Sequence, residues 1–177
     1  LKEGIEGDIE DMNSIIDQFI DYIRHDSKDK AELDDINKLI DEVVQSESIL
    51  DREIIFTTED LPNIPLRYVA MKRAVANLIQ NALRYSQGKV TVSTYYDKRK
   101  QEVCFCVCDE GPGIPEFEIE RLFQPFTQGD EARGAEGSGL GLAIIKRIVD
   151  THSGRVELSN RKEGGLKAQV CLPISHG

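Results

Sequence analysis

Between Gly88 and Ile114 the chain reads "GKVTVSTYYDKRKQEVCFCVCDEGPGI", and this stretch decides the architecture. Two runs alternate with period two: "GKVTVSTYY", and "EVCFCVCD", in which Val103, Phe105 and Val107 interleave with Cys104, Cys106 and Cys108. Each is a strand with one buried face, and the charged turn "DKRK" between them makes an antiparallel hairpin. The second strand runs directly into Asp109 and the glycines Gly111 and Gly113.

Upstream, "MKRAVANLIQNALRYS", Met71–Ser86, has helical periodicity up to about Tyr85. "ELDDINKLIDEVVQS" predicts a short strand and then a helix capped by Asp34 or Asp35. "REIIFTTE" reads as a strand and "DLPNIP" as a turn. Downstream come a short amphipathic piece around "IERLFQPF", a glycine-bearing stretch "TQGDEARGAEGSG", and a helix from about Leu140 to Thr151. Two further strands, "GRVELSN" and "LKAQVCLP", flank the turn "RKEGG". Long hairpin strands with interspersed helices predict an α/β fold: a two-layer sandwich of a mixed, mainly antiparallel sheet with helices on one face.

The first segment follows a different grammar. Ile5, Ile9, Met12, Ile16, Phe19 and Ile23 are spaced 4, 3, 4, 3 and 4 residues apart, an a/d seam. Ile15 and Ile20 widen that seam, so residues 1–25 read as one bundle or coiled-coil helix that needs partner helices. The polar run "HDSKDK" breaks the register, which places a linker at 26–30 and the globular domain at 31–177.

Composition narrows the function classes. The 177 residues are 40% hydrophobic and 31% charged, as in an ordinary globular protein. A net charge of −10 argues against general binding to nucleic acid or anionic membrane. No run approaches the ~18 apolar residues of a spanning helix. Opening at Leu1 without a signal-peptide pattern, the chain is expected to be an excised fragment. Cys104, Cys106 and Cys108 share one strand face, and with Cys171 they form no zinc spacing. Same-face neighbours on one strand make poor disulfide partners, so the cysteines are expected to be small buried thiols in a reducing compartment.

Three elements carry chemistry. Asn77 and Asn81 stand four residues apart in mid-helix, although Asn competes for backbone groups there. Two amides on one face suit Mg²⁺ and phosphate, and Arg84 reaches the same face. They would equally tie the helix to a loop. Asp109 ends an apolar strand, where a half-buried carboxylate needs a donor such as an adenine amino group. The glycines after it would let backbone approach a flat base, or would simply make a tight turn. "GSGLGLAI" sets Gly137, Gly139 and Gly141 at a helix entrance, where free N–H groups cradle phosphate, unless they serve as a hinge. The order is neither Walker nor Rossmann.

Taken together, the Asn helix, the hairpin, Asp-x-Gly-x-Gly, a segment with Phe123 and Phe126, Gly-x-Gly-Leu-Gly-Leu and Gly164–Gly165 resemble the catalytic ATP-binding domain of sensor histidine kinases. These belong to the wider gyrase, Hsp90 and MutL ATPase superfamily with its Bergerat-type fold. The resemblance covers about Ala31 to Pro173. "FIDYIR", "KRAVANLIQNALRY", "LFQPF" and "RIVDTHSG" resemble the EnvZ osmosensor type in particular.

The resemblance implies ATP and Mg²⁺ as ligands. Asn81 would bind the metal and Asn77 support phosphates or metal, with Arg84 neutralising phosphate charge and Tyr85 lining the base. Asp109 would accept from the adenine amino group above Gly111, Gly113 and Ile114. Phe123 and Phe126 would anchor a lid. Gly139 and Gly141 would hold the phosphates beside Ser138, Leu140 and Leu142. Gln128, next to Gly129, stands where relatives often have a basic lid residue, and Arg133 is a candidate to replace it. Lys167 or a neighbour stands near the place of a Thr that helps a water at the adenine in relatives.

The first helix would be the second helix of a dimerisation and phosphoacceptor hairpin, giving a homodimer in the full protein. That protein would be a bacterial inner-membrane receptor with this portion in the cytoplasm, paired with an OmpR-like response regulator. None of the three histidines fits a phosphoacceptor: no second hairpin helix follows His25, His152 sits at a helix end, and His176 lies in the tail. ATP binding without autophosphorylation is therefore expected. An ATP-hydrolysing clamp of the gyrase or Hsp90 type would need a glutamate on the Asn helix, and none occurs from Met71 to Tyr85. A non-catalytic nucleotide-sensing or dimerisation module stays open.

Overall fold

The hairpin is the centre of the sheet. The computed structural model describes residues 30–48, 53–119, 121 and 141–175, so the seam helix at 1–25 lies outside the described residues. In chain order the elements are β1 (Glu32–Asp34), α1 (Ile36–Glu47), β2 (Ile54–Thr57), β3 (Ile64–Leu66), α2 (Tyr68–Tyr85), β4 (Val90–Asp97), β5 (Glu102–Cys108), a 3₁₀ turn (Glu116–Glu118), α3 (Gly141–Thr151), β6 (Arg155–Asn160) and β7 (Leu166–Pro173).

β4 and β5 pair antiparallel from Thr91↔Cys108 to Asp97↔Glu102. β7 joins the other side of β5, and β6 follows as its hairpin partner. β2 completes the sheet by pairing parallel to β4, giving the five-stranded order β2-β4-β5-β7-β6. A parallel neighbour demands a long crossover, and α2 lies within it. The predicted turn "DLPNIP" is corrected at its end: residues 60–63 lie outside helix and strand, but Ile64 and Pro65 belong to the strand β3 (Ile64–Leu66), which pairs antiparallel with β1 in a separate two-stranded ribbon. Its two prolines and central asparagine look like turn chemistry, but Ile64 and Leu66 are buried in the core.

Alternation divides the sheet cleanly. Val103, Phe105 and Val107 of β5, with Val170 and Leu172 of β7, enter the hydrophobic core. Against them lie the apolar stripes of all three helices: Leu39, Ile40 and Val43 of α1, Val75, Leu78 and Ile79 of α2, and Ile145, Ile148 and Val149 of α3. These recur at helical spacing, which is why the helices bury one face each. Asp35 rather than Asp34 caps α1, its side chain accepting from the Asn37 N–H at 2.9 Å.

The expectation of unpaired cysteines is corrected. Cys104 and Cys171 lie directly opposite each other on β5 and β7, with Cα atoms 4.1 Å apart, and form a disulfide. The sequence argument weighed neighbours along one strand; pairing across the ladder came from β7, whose register no single segment reveals. Cys106 and Cys108 stay as thiols, and burial pushes both above the ordinary thiol range.

Candidate functional site

The ladder between β5 and β7 continues one step beyond the strands, and that step builds the site. Asp109 falls opposite Leu166 in the same register as Cys108↔Lys167. Its backbone N–H donates to the Leu166 carbonyl at 3.0 Å. The return bond is made differently: the Leu166 N–H donates to Asp109 Oδ1 at 3.0 Å, the side chain taking the place of its own carbonyl. Asp109 Oδ1 also accepts from the Gly111 N–H at 2.9 Å, while the displaced carbonyl accepts from Arg161 Nη1 at 2.8 Å. Asp109 is only 2% exposed, so a carboxylate held by two backbone donors satisfies the demand made by burial. Gly165, at φ +92°, makes this possible, because a Cβ there would collide with the Asp109 carbonyl oxygen.

The loop after Asp109 is clamped from β6. Asn160 makes both bonds to the Ile114 backbone: its Oδ1 accepts from the Ile114 N–H at 2.9 Å, and its Nδ2 donates to the Ile114 carbonyl at 2.6 Å. The same Oδ1 lies where a Cβ on Gly113 would sit, and Gly113 has φ +72°. On the other side, Ser86 Oγ accepts from the Glu110 N–H at 3.0 Å, tying the C-terminal end of α2 to the loop. Asn160, Arg161 and Ser86 went unnoticed in the sequence. The nearest signal was the polar "SNRKEGG" at an edge-strand end, a pattern shared by any surface turn.

α2 presents Asn77 and Asn81 beside its buried stripe, both partly buried, with Arg84 exposed one turn further on. Asn77 Nδ2 is buried and, among the described residues, has no hydrogen-bond partner. A buried amide donor left unpaired costs ~1–3 kcal/mol, so it marks a place where an acceptor belongs.

α3 is pinned to α2 at one end. His152, 3% exposed, accepts from the Arg67 N–H through Nε2 at 2.9 Å, and its Nδ1 donates to the Ile148 carbonyl at 2.8 Å. Those two bonds require the neutral Nδ1–H tautomer. With the C-terminal end of α3 at the N-terminal end of α2 and the helices packed together, they run antiparallel. The 11 residues of α3 span ~16 Å, which brings Gly141 about level with Asn77 and Asn81. Gly141 therefore opens α3 at the height of the amide pair, at a helix end whose first N–H groups have no intrahelical partner.

The structure thus sets Asp109, Gly111, Gly113 and Ile114 in a loop against the C-terminal end of α2 at Tyr85, with Asn77, Asn81 and Arg84 earlier on that helix and Gly141 and Leu142 at the start of α3. Ile114 is core-buried and Leu142 packs against the core, so both shape the floor. Phe123, Phe126, Gln128, Gly129, Arg133, Ser138, Gly139 and Leu140 lie outside the described residues. Lys167 pairs opposite Cys108, and its charge acts on the Cys106 and Cys108 thiols; the residue bonded to Asp109 is Leu166. Among the described residues, the one cluster of metal-ligating type is Glu102, Cys104 and Cys171, on the sheet face away from the helices. The neutral amide oxygens on α2 are of the type that fits a cation arriving with phosphates.

The chain matches the family of histidine kinase-, DNA gyrase B- and HSP90-like ATPases over residues 67–176. It is 30% identical over 174 residues to the sensor histidine kinase GtrS of Pseudomonas aeruginosa, covering 98% of this chain and 36% of that protein. It is 39% identical over 107 residues to the sensor histidine kinase CpxA of Escherichia coli, covering 59% of this chain and 23% of that protein. The chain thus spans well under half the length of these curated relatives. The histidine kinase domain of the E. coli osmosensor EnvZ superposes with a TM-score of 0.66 at 40% identity, over 84% of this chain and 91% of that one. EnvZ is one relative beside GtrS and CpxA, and what the three share is the broader family. The chain belongs to the histidine kinase-, DNA gyrase B- and HSP90-like ATPases, with the fold of the catalytic ATP-binding domain of sensor histidine kinases.

Proposed function

We propose that this chain binds ATP with Mg²⁺ and, within its full-length protein, passes the γ-phosphoryl group to a histidine for relay to a response-regulator aspartate. The observation that carries this reading is Asp109: a buried carboxylate locked into the β5–β7 ladder by the Leu166 and Gly111 N–H groups, in a loop tied to the C-terminal end of the helix that bears the two amides. Asp109 would read the adenine amino group, with Tyr85 and the loop from Gly111 to Ile114 flanking the ring. Asn77 would donate to a phosphate oxygen, which answers its unpaired Nδ2. Asn81 would hold Mg²⁺, which when bound supplies charge neutralisation on the triphosphate. Arg84 and the N–H groups opening α3 at Gly141 would complete that neutralisation. Phosphoryl transfer through a loose transition state depends on such positioning and charge balance.

Residues 1–25 would form half of a dimerisation hairpin and 26–30 a linker, making the full protein a homodimer. An OmpR-like regulator and a cytoplasmic place in an inner-membrane receptor complete the proposal. His152 is engaged at both ring nitrogens in a helix staple, which supports its exclusion as phosphoacceptor. Incubation with γ-labelled ATP tests the reading. Mg²⁺-dependent binding without stable label on this chain is expected, with label appearing on a phosphoacceptor hairpin added in trans. Acid-labile label on the chain alone, or rapid steady-state hydrolysis, would contradict it.

A further inference from the structure

The sheet face away from the helices carries a cysteine pair that the nucleotide site does not use. Cys104 and Cys171 are 0% and 1% exposed, although this face bears no helix among the described residues. Two side-chain arches cover them. Tyr95 of β4 stands opposite Cys104 and receives a 2.6 Å hydrogen bond from Gln169 Nε2 of β7, so the pair spans across β5. Arg155 of β6 stands opposite Cys171 and donates twice to Glu102 of β5, at 2.9 and 2.8 Å, spanning across β7. The hydrogen bonding of Asp109 with Leu166 and of Ile174 with Gln101 gives the ladder its parity, which makes Cys104↔Cys171 a non-bonded pair. Side chains approach most closely at such pairs.

We propose that Cys104 and Cys171 form a reversible thiol–disulfide site that locks the β5–β7 ladder beneath the adenine subsite. The compartment rests on the ATP-binding function proposed above: a chain that uses ATP works where thiols are kept reduced, and disulfides formed there are usually redox-sensing or catalytic. With both sulfurs covered by the arches only a small oxidant suits the pair, so a peroxide is the reactant. One thiolate attacks the O–O bond, becoming a sulfenic acid as water or hydroxide leaves. The second sulfur displaces that oxygen as a second water, closing the S–S bond. The two thiols lose two electrons and two protons, and the peroxide takes them up. A dithiol reverses the step, leaving as its own disulfide. Cys106 and Cys108 face Gln169 and Lys167 across the ladder, so neither has a sulfur opposite it with which to close a bridge. The bridge lies on the same two strands as Asp109 and Leu166, at the far end of one ladder, so closing it stiffens the base that sets the Asp109 carboxylate.

The test uses the full chain, equilibrated in glutathione buffers of graded ratio and then alkylated under denaturing conditions. The peroxide-treated chain should take up two alkyl groups, at Cys106 and Cys108, and the dithiol-treated chain four, with a peptide map joining Cys104 to Cys171. The reduced form should melt roughly 10 °C lower, given the long loop that the bridge closes. Its affinity for a non-hydrolysable ATP analogue should fall several-fold. Half-oxidation within the cytosolic range of glutathione ratios is expected. Four free thiols after peroxide, a cross-link through Cys106 or Cys108, or half-oxidation only in far more reducing buffers would overturn the switch. Equal nucleotide affinity in the two forms would overturn its coupling to the adenine subsite. Absence of nucleotide binding in both forms would instead defeat the proposed function, while leaving the thiol chemistry intact. The variant Cys171→Ser should abolish the cross-link and the peroxide-dependent rise in melting temperature.

Discussion

Replacing Asp109 by Asn changes one atom and separates the two roles of this residue. The Asn carbonyl oxygen can still accept from the Leu166 and Gly111 N–H groups, now 3.0 and 2.9 Å from Asp109 Oδ1. The fold should therefore persist with a small change in melting temperature. The other carboxylate oxygen becomes an amide NH₂, and a donor would then face the adenine amino donor. Losing a charge-assisted bond costs about 1.5–3 kcal/mol, and leaving a desolvated donor without an acceptor adds about 1–3. Together these predict about 2.5–6 kcal/mol, or roughly two to four decades of affinity. Guanine offers an oxygen acceptor where adenine has its amino group, so binding of a GTP analogue should fall far less. Calorimetric titration of both analogues into the wild type and Asp109→Asn, with melting curves alongside, reads out both halves. Near wild-type affinity for the ATP analogue, or an equal loss for both nucleotides, would refute the assignment of Asp109 to the base.

Asn77→Ala should stabilise the nucleotide-free chain by about 1 kcal/mol, because it removes an unpaired buried donor and raises helix propensity, yet it should weaken triphosphate binding; chemical denaturation and titration measure the two. Asn81→Ala should lower analogue affinity roughly tenfold or more in Mg²⁺ and much less in its absence, read from paired titrations. His152→Ala removes the bond from Arg67 that staples α2 to α3 and the bond to Ile148 within α3, and leaves a cavity, so it should cost about 2–4 kcal/mol in urea unfolding. Asn160→Asp keeps the acceptor for the Ile114 N–H but sets a carboxylate against the Ile114 carbonyl; it should weaken nucleotide binding more than it lowers the melting temperature.

What the sequence made legible was whatever repeats with a period or sits at a special backbone position. The β4–β5 hairpin, the Asn helix and the β6–β7 hairpin announce themselves through alternation or helical stripes. Asp109 stands out because a carboxylate closing an apolar strand demands a partner. β3 escaped because three residues are too few to show a period and Pro65 suggests a turn. Asn160, Arg161 and Ser86 escaped because their importance lies in tertiary bonds to Ile114, Asp109 and Glu110, between 24 and 52 residues away. The Cys104–Cys171 bridge depends on the pairing of β5 with β7, a register set by the whole sheet.

The His152 staple has a mechanical consequence. α3 is held at its C-terminal end and carries the glycine-rich entrance at the other, so any adjustment of that entrance to a triphosphate is a swing about a fixed pivot. Over a lever of ~16 Å, a tilt of only ~4° at His152 carries Gly141 through ~1 Å, enough to make or break a contact with a phosphate oxygen. The His152 imidazole, at the opposite end of α3 from that entrance, would thus govern how finely the phosphate-binding end can be aimed.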